Sequence, residues 1–129
     1  MPSADRGSVW MVDLGLAAKV RPCLVLSVPT DPQDRVLVTV VAHTTSVQGT
    51  RFEVDVKARF LKPGVFDAQQ VLTVPQAKLV RKLGDLTAEQ LVSVEKAVRR
   101  WLGLMPCRRA EQAVATDGWR GYTAGSPPG

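Results

Sequence analysis

The stretch "KVRPCLVLS", residues 19–27, decides how the chain is read. Cys23 to Ser27 are mostly apolar and β-prone, which marks a buried strand. An arginine and a proline stand at its mouth, and a buried strand has no need of a guanidinium there. Pro22 fixes its own φ and biases Arg21 toward an extended conformation, so the side chain projects from a stiff base. A guanidinium presents a planar fork of donors that suits a phosphate. The residues alone leave a second reading open, a surface arginine paired with a carboxylate such as Asp13.

Outward from this strand, the chain from Val9 to Leu86 keeps the same character. "SVWMVDL" precedes it across the short loop "GLAAKV". The polar turn "PTDPQD" and the run "RVLVTVVAHT" follow. Gly49 marks another turn before "RFEVDV", where Phe52, Val54 and Val56 alternate with charged residues at the strand period of two. "KPGVFDAQQVL" holds a Pro-Gly turn and a further β-prone run, and "LVRKLGDL" reads as a last short strand. Short strands with turn residues at close intervals predict a small barrel or a curled antiparallel sheet.

One helix stands out after the strands. Thr87 is a natural N-cap, Gln90 three residues later completes a capping box, and Leu86 and Leu91 occupy the staple positions around it. Leu91, Val94, Val98, Trp101 and Leu102 then fall on one face. Gly103 stops the helix, and Lys96, Arg99 and Arg100 lie near its negative end. The apolar face requires a cover, and the sheet is the candidate. The fold class is therefore α+β, with residues 1–104 as one domain. "MPCRRAEQAVATDGWRGYTAGSPPG", residues 105–129, has no periodicity and reads as a flexible tail.

The bulk numbers narrow the function classes. Hydrophobic residues make up 45% and charged residues 22% of 129, a globular composition long enough for one real core. The longest apolar run, Val36 to Ala42, is far below the roughly 18–20 residues of a membrane span. The N-terminus has no signal-peptide pattern, so the expected location is cytoplasmic. Two isolated cysteines, Cys23 and Cys107, and a single histidine, His43, do not supply the usual ligand set of a zinc site, and no cofactor is expected. Cys23 reads as a small buried hydrophobe. The net charge of +5 permits a polyanionic partner without demanding one.

A second stretch able to carry chemistry is "VVAHTTS", residues 40–46. If Val36, Val38, Val40 and Ala42 share a buried face, Thr44 continues that row to the strand's end, where its hydroxyl meets either a ligand or its own turn. His43 falls on the opposite parity, as a structural residue or as an acid–base group.

In order, "RGSVWMVDL", "RPCLVLS", "VVAHTTS", "RFEVDV", "FDAQQVLTV" and "KLGDLTAEQLVSVEKAVRRWLGL" resemble the MazF/PemK family of toxin endoribonucleases, over roughly residues 6–104. The resemblance implies a small SH3-like β-barrel with a C-terminal helix, working as a homodimer. It implies cleavage of single-stranded RNA, mostly mRNA, at short sequences without a metal, and inhibition by a cognate antitoxin. By position it places the catalytic arginine on Arg21 and the catalytic threonine on Thr44, with Thr45 or Ser46 one or two residues on. Gln70 matches the family's glutamine, and Lys19 and His43 join these as substrate-binding residues. The alternatives are a toxin of the same fold, like the CcdB proteins, that inhibits a protein such as DNA gyrase, and a barrel that only binds RNA.

Three positions depart from the family pattern. Many relatives have an arginine two residues after the glutamine and an acidic residue three further on. Here those places hold Leu72 and Pro75, so a second cation and a carboxylate are expected to be missing from the site. The loop Gly15 to Val20 is also shorter than usual. A guanidinium stays protonated in proteins and is a poor general base. Arg21 is thus expected to stabilise charge on the phosphate, with Thr44 hydrogen-bonding the phosphate or the 2′-hydroxyl.

Overall fold

A computed structural model describes residues 4–15 and 19–104. The tail at 105–129, with Cys107, and part of the Gly15 to Val20 loop lie outside the described residues. The strands are β1 (Ser8–Asp13), β2 (Val20–Val25), β3 (Leu37–Thr44), β4 (Glu53–Val54), β5 (Val65–Pro75) and β6 (Leu79–Asp85), and the helix is α1 (Ala88–Leu102). All six strands form one antiparallel sheet in the order β4-β5-β3-β2-β1-β6.

The hydrogen-bond ladder ends at β4 and β6, so the barrel expected from the resemblance is a curled sheet that does not close through its backbone. A side chain bridges what the backbone leaves apart. Phe60, from the segment between β4 and β5, lies against Gly84 on β6, the far edge strand. A Cβ at residue 84 would sit 2.5 Å from the ring, so glycine is what admits it.

Period-two alternation divides the valines and leucines between two cores. Val9, Leu24, Val41 and Phe66 face Val94, Ala97 and Val98 of α1. Val12, Cys23, Val25, Val38, Val40 and Ala42 face the other way, with Trp10 and Leu79. Burial of each such large side chain contributes about 1.5–3 kcal/mol against exposure. The helix begins as its sequence dictates. Thr87 accepts from the Gln90 backbone at 3.1 Å, the Gln90 side chain accepts from the Thr87 N–H at 2.9 Å, and Gly103 ends the helix at φ 74°.

Several boundaries differ from the periodic reading. Val36 is exposed and precedes β3, because the turn before it leaves the sheet only at Leu37. The run 51–56 keeps Phe52 and Val56 buried, yet only Glu53 and Val54 pair with β5. Trp10 and Phe52 are internal, whereas Trp101 and Leu102 are about half exposed, since α1 runs past the sheet it covers. Trp101 still meets Phe52 edge-on, with ring centroids 5.3 Å apart.

Candidate active site

The β2–β3 ladder matches Cys23 with Ala42, Leu24 with Val41 and Val25 with Val40. The β2–β3 pairing stops there; past it, the register continued by parity alone puts Arg21 and Thr44 on the Cys23 face and Pro22 and His43 on the other. Positions 21 and 44 thus share a face where the two strands run out. Both line one cavity of about 550 Å³. Thr45, Ser46 and His43 line it too, with Met11, Val20, Pro22, Phe60 and Leu83 as apolar wall and Lys62 and Arg81 as further cations. No carboxylate is among the described residues that line it.

Arg21 is half-buried and turns to Gln70, donating to its Oε1 at 3.5 Å. Asp13, the alternative partner, instead accepts from the Gly15 N–H at 2.9 Å. Gln70 is itself held, because its Nε2 donates to Asp67 Oδ2 at 3.0 Å, and Asp67 Oδ1 accepts from the Gln69 N–H. The cause is an irregularity in β5. Val41 faces Val71 and His43 faces Phe66, so Asp67, Ala68, Gln69 and Gln70 stand against the single residue Ala42. Such bulges re-aim side chains out of the ladder. Here the bulge brings Gln70 back to the mouth of β2.

Thr44 answers both of its sequence readings. Its Oγ1 accepts from the Ser46 N–H at 3.0 Å, which shapes the turn. A hydroxyl that accepts one hydrogen bond keeps its proton to donate. Gln70 reaches Arg21 without lining the cavity, and Lys19 stands further off. It is exposed at φ 55° and closes the loop back to Gly15, its N–H donating to that carbonyl at 2.7 Å, and it does not line the cavity.

His43 is buried, its Nε2 has no hydrogen-bond partner among the described residues, and its ring meets Phe66 edge-on. Burial holds its pKa below the ordinary histidine value, so the imidazole is neutral at pH 7. Gly64 closes over this end of β3, where a Cβ would strike the Thr44 carbonyl oxygen and lie 2.9 Å from His43 Cε1. Cys23 is the small core residue its context predicted. Burial pushes its thiol up to about 12 against the opposing charge of Arg21, so it is no nucleophile at pH 7.

The family model described as PemK-like, MazF-like toxin of type II toxin-antitoxin system matches residues 5–102. The chain belongs to that family. Comparison with curated proteins by sequence gives no match. Among solved structures, an endoribonuclease in complex with its cognate antitoxin from a mycobacterial species is 25% identical at a TM-score of 0.68, covering 81% of this chain and 97% of that one. MazE–MazF from Deinococcus radiodurans shares the fold at 23% identity and a TM-score of 0.69, over 81% and 99% of the two chains. The Mycobacterium tuberculosis toxin MazF-mt6 is 29% identical at 0.63, over 75% and 97%.

Within this PemK/MazF member, neither position 72 nor position 75 supplies a charge to the cavity. Leu72 lies opposite Val40, and Pro75 opposite Leu37 at the far end of β3 from Thr44. Two other cations, Lys62 and Arg81, line the cavity instead. Sequence reasoning passed over both because each looks like a solvated charge in its own segment. Asp67 carried a signal that went unused, an acid three residues before Gln70. No described helix is long and apolar enough to cross a membrane.

Proposed function

We propose that this toxin is a sequence-selective endoribonuclease that cleaves single-stranded RNA, mRNA above all, without a metal ion. One observation carries the reading: Arg21 and Thr44 line the same cavity, in the company of Lys62 and Arg81 and with no carboxylate among the described lining residues. Such a lining favours an anion, and the geometry of the tips favours a phosphate.

The nucleophile is built into the substrate. The ribose 2′-oxygen attacks phosphorus as its proton leaves. A 2′-O–P bond forms, the P–O5′ bond breaks, and the departing 5′-oxygen takes up a proton. The products are a 2′,3′-cyclic phosphate and a 5′-hydroxyl end. The Arg21 guanidinium stabilises the charge that builds on the phosphoryl oxygens, and Gln70, held by Asp67, fixes its direction. The Thr44 hydroxyl donates to one of the same oxygens. Thr45, Ser46 and His43 contact the flanking RNA, and Lys19 meets the strand outside the cavity.

Purified protein incubated with an mRNA in EDTA gives fragments with 5′-hydroxyl ends. RNA left intact there, with the protein folded, overturns the nuclease reading. Arg21→Lys keeps the charge and loses the fork, so undiminished cleavage by that variant removes bidentate phosphate binding from the scheme. We further infer that the toxin works as a homodimer and that a cognate antitoxin covers the cationic cavity. Light scattering of the toxin alone, and loss of cleavage on addition of the antitoxin, check these two points.

A further inference from the structure

The cavity has two sides, and the proposed phosphate chemistry uses only one of them. Arg21 and Thr44 belong to the face of the sheet that carries Cys23 and Ala42. The opposite face presents a different row. Met11 pairs with Pro22 on β2 and with Arg81 on β6, so Pro22, Met11 and Arg81 project together across three strands. His43 extends the row on β3 by the register given above. Phe60, seated on Gly84, and Lys62 two residues later stand over this row, and Leu83 lies two residues along β6 from Arg81.

The two cations here are not committed elsewhere. Lys82, their neighbour on β6, is paired with Asp85 at 3.2 Å. Neither Lys62 nor Arg81 pairs with another described residue. A flat apolar wall flanked by two unpaired cations matches the two parts of a nucleotide. A base is a π-face that stacks on an aromatic ring, and its phosphate is an anion that a guanidinium and an ammonium attract.

We propose that this half of the cavity is a nucleotide subsite. Met11, Phe60 and Leu83 receive the unstacked base next to the cleaved linkage, and Lys62 and Arg81 hold its phosphate. The inference rests on the endoribonuclease reading for its substrate and adds residues from outside the "RPCLVLS", "VVAHTTS" and "DAQQV" segments. It makes the 55–64 segment and β6 determinants of where the strand lies.

The test is the salt dependence of binding. Wild-type protein and the double variant Lys62→Ala/Arg81→Ala are titrated with a fluorescent single-stranded RNA of mixed sequence at several salt concentrations. Each phosphate neutralised on a single strand contributes roughly 0.7 to the slope of log K against log salt, so the double variant, which releases one phosphate, has a slope shallower by about 0.7. Arg81→Glu weakens binding further at low salt. Both substitutions are at exposed positions, and thermal melting verifies folding. Phe60→Leu weakens RNA binding and leaves the salt slope unchanged, as loss of stacking requires.

An unchanged slope in the double variant overturns the subsite. So does equal displacement of RNA by inorganic polyphosphate in wild type and in Phe60→Leu, since a bare anion site needs no ring. If wild-type protein cleaves mRNA and the slope does not move, the subsite falls and the nuclease reading stands. If the slope moves as expected and no RNA is cut, the subsite stands and the nuclease reading falls.

Discussion

The middle and the tip of the β2–β3 pair are built from the same two strands and do opposite things. In the middle, Cys23, Leu24 and Val25 face Val40, Val41 and Ala42, and all six are fully buried. Past the last ladder pair the same two strands run on into Arg21, Pro22, His43 and Thr44, where a guanidinium and a hydroxyl meet a cavity. The middle has apolar neighbours on both faces of the sheet, α1 on one and the curled edge on the other. At the tip His43 is still covered, whereas Arg21 and Thr44 are only half-buried. Polar groups that would carry a heavy desolvation penalty three residues earlier are solvated there and still rigidly based. This separation predicts that the tip can be altered without unfolding the protein, and that the middle cannot.

The sharpest way to break the contrast is Arg21→Ala. Removing a group that stabilises transition-state charge lowers the rate by about a hundred- to a thousandfold. Arg21 is half-buried and its hydrogen bond to Gln70 is long, so the melting temperature stays within a few degrees of wild type. Cleavage within a few fold of wild type would mean that the tip is not the catalytic site. Leu24→Ala tests the other half. Leu24 is fully buried in the core under α1, and truncation there costs about 3 kcal/mol, read as the urea midpoint. The folded fraction of that variant keeps its cleavage rate per molecule, because nothing at the tip has been touched.

Legibility followed the same division. Features fixed by neighbours in sequence were readable from sequence: the Thr87/Gln90 box, the Gly103 stop, the burial of Cys23, and the position of Arg21 before a proline. Thr44 was readable through parity, since Val38, Val40 and Ala42 set the row, although Val36, expected in it, proved exposed. Features set by chain returns were not readable. The β5 bulge that carries Gln70 to Arg21 depends on how β3 and β4 divide one strand between them. Lys62 and Arg81 reach the cavity from two segments whose local patterns read only as surface charge. Trp101 fitted the helix stripe and is half exposed, because periodicity does not say where the covered sheet ends.

A smaller effect separates the two duties of Thr44. Its Oγ1 holds the Ser46 turn, and its proton is free for a phosphate. Thr44→Val removes both, while Thr44→Ser keeps both and loses only a methyl. Loss of one hydrogen bond to a charged phosphoryl oxygen in the transition state is worth about 1.5–3 kcal/mol, roughly a ten- to hundredfold drop in rate for the valine variant. The serine variant restores most of the rate. If valine and serine behave alike, the hydroxyl contributes no hydrogen bond to the reaction, and Thr44 matters only for shape.

The smallest expected effect lies at His43, where core and tip overlap. Burial holds its folded pKa below the ordinary value near 6.5, and its Nε2 finds no partner among the described residues that would offset a charge. As pH falls through 6.5, the unfolded chain takes up this proton before the folded chain does. Stability is therefore complete above about 6.5 and declines as pH drops toward the lower folded value, by at most about 1.4 kcal/mol per pH unit for one proton. Urea midpoints measured at pH 8 and at pH 5.5 reveal the decline and stay clear of the carboxylates. His43→Leu fills the same space without a titrating group, so its two midpoints differ less than those of wild type. Equal pH dependence in the two proteins would assign the loss elsewhere and make His43 a residue of the open tip rather than of the core.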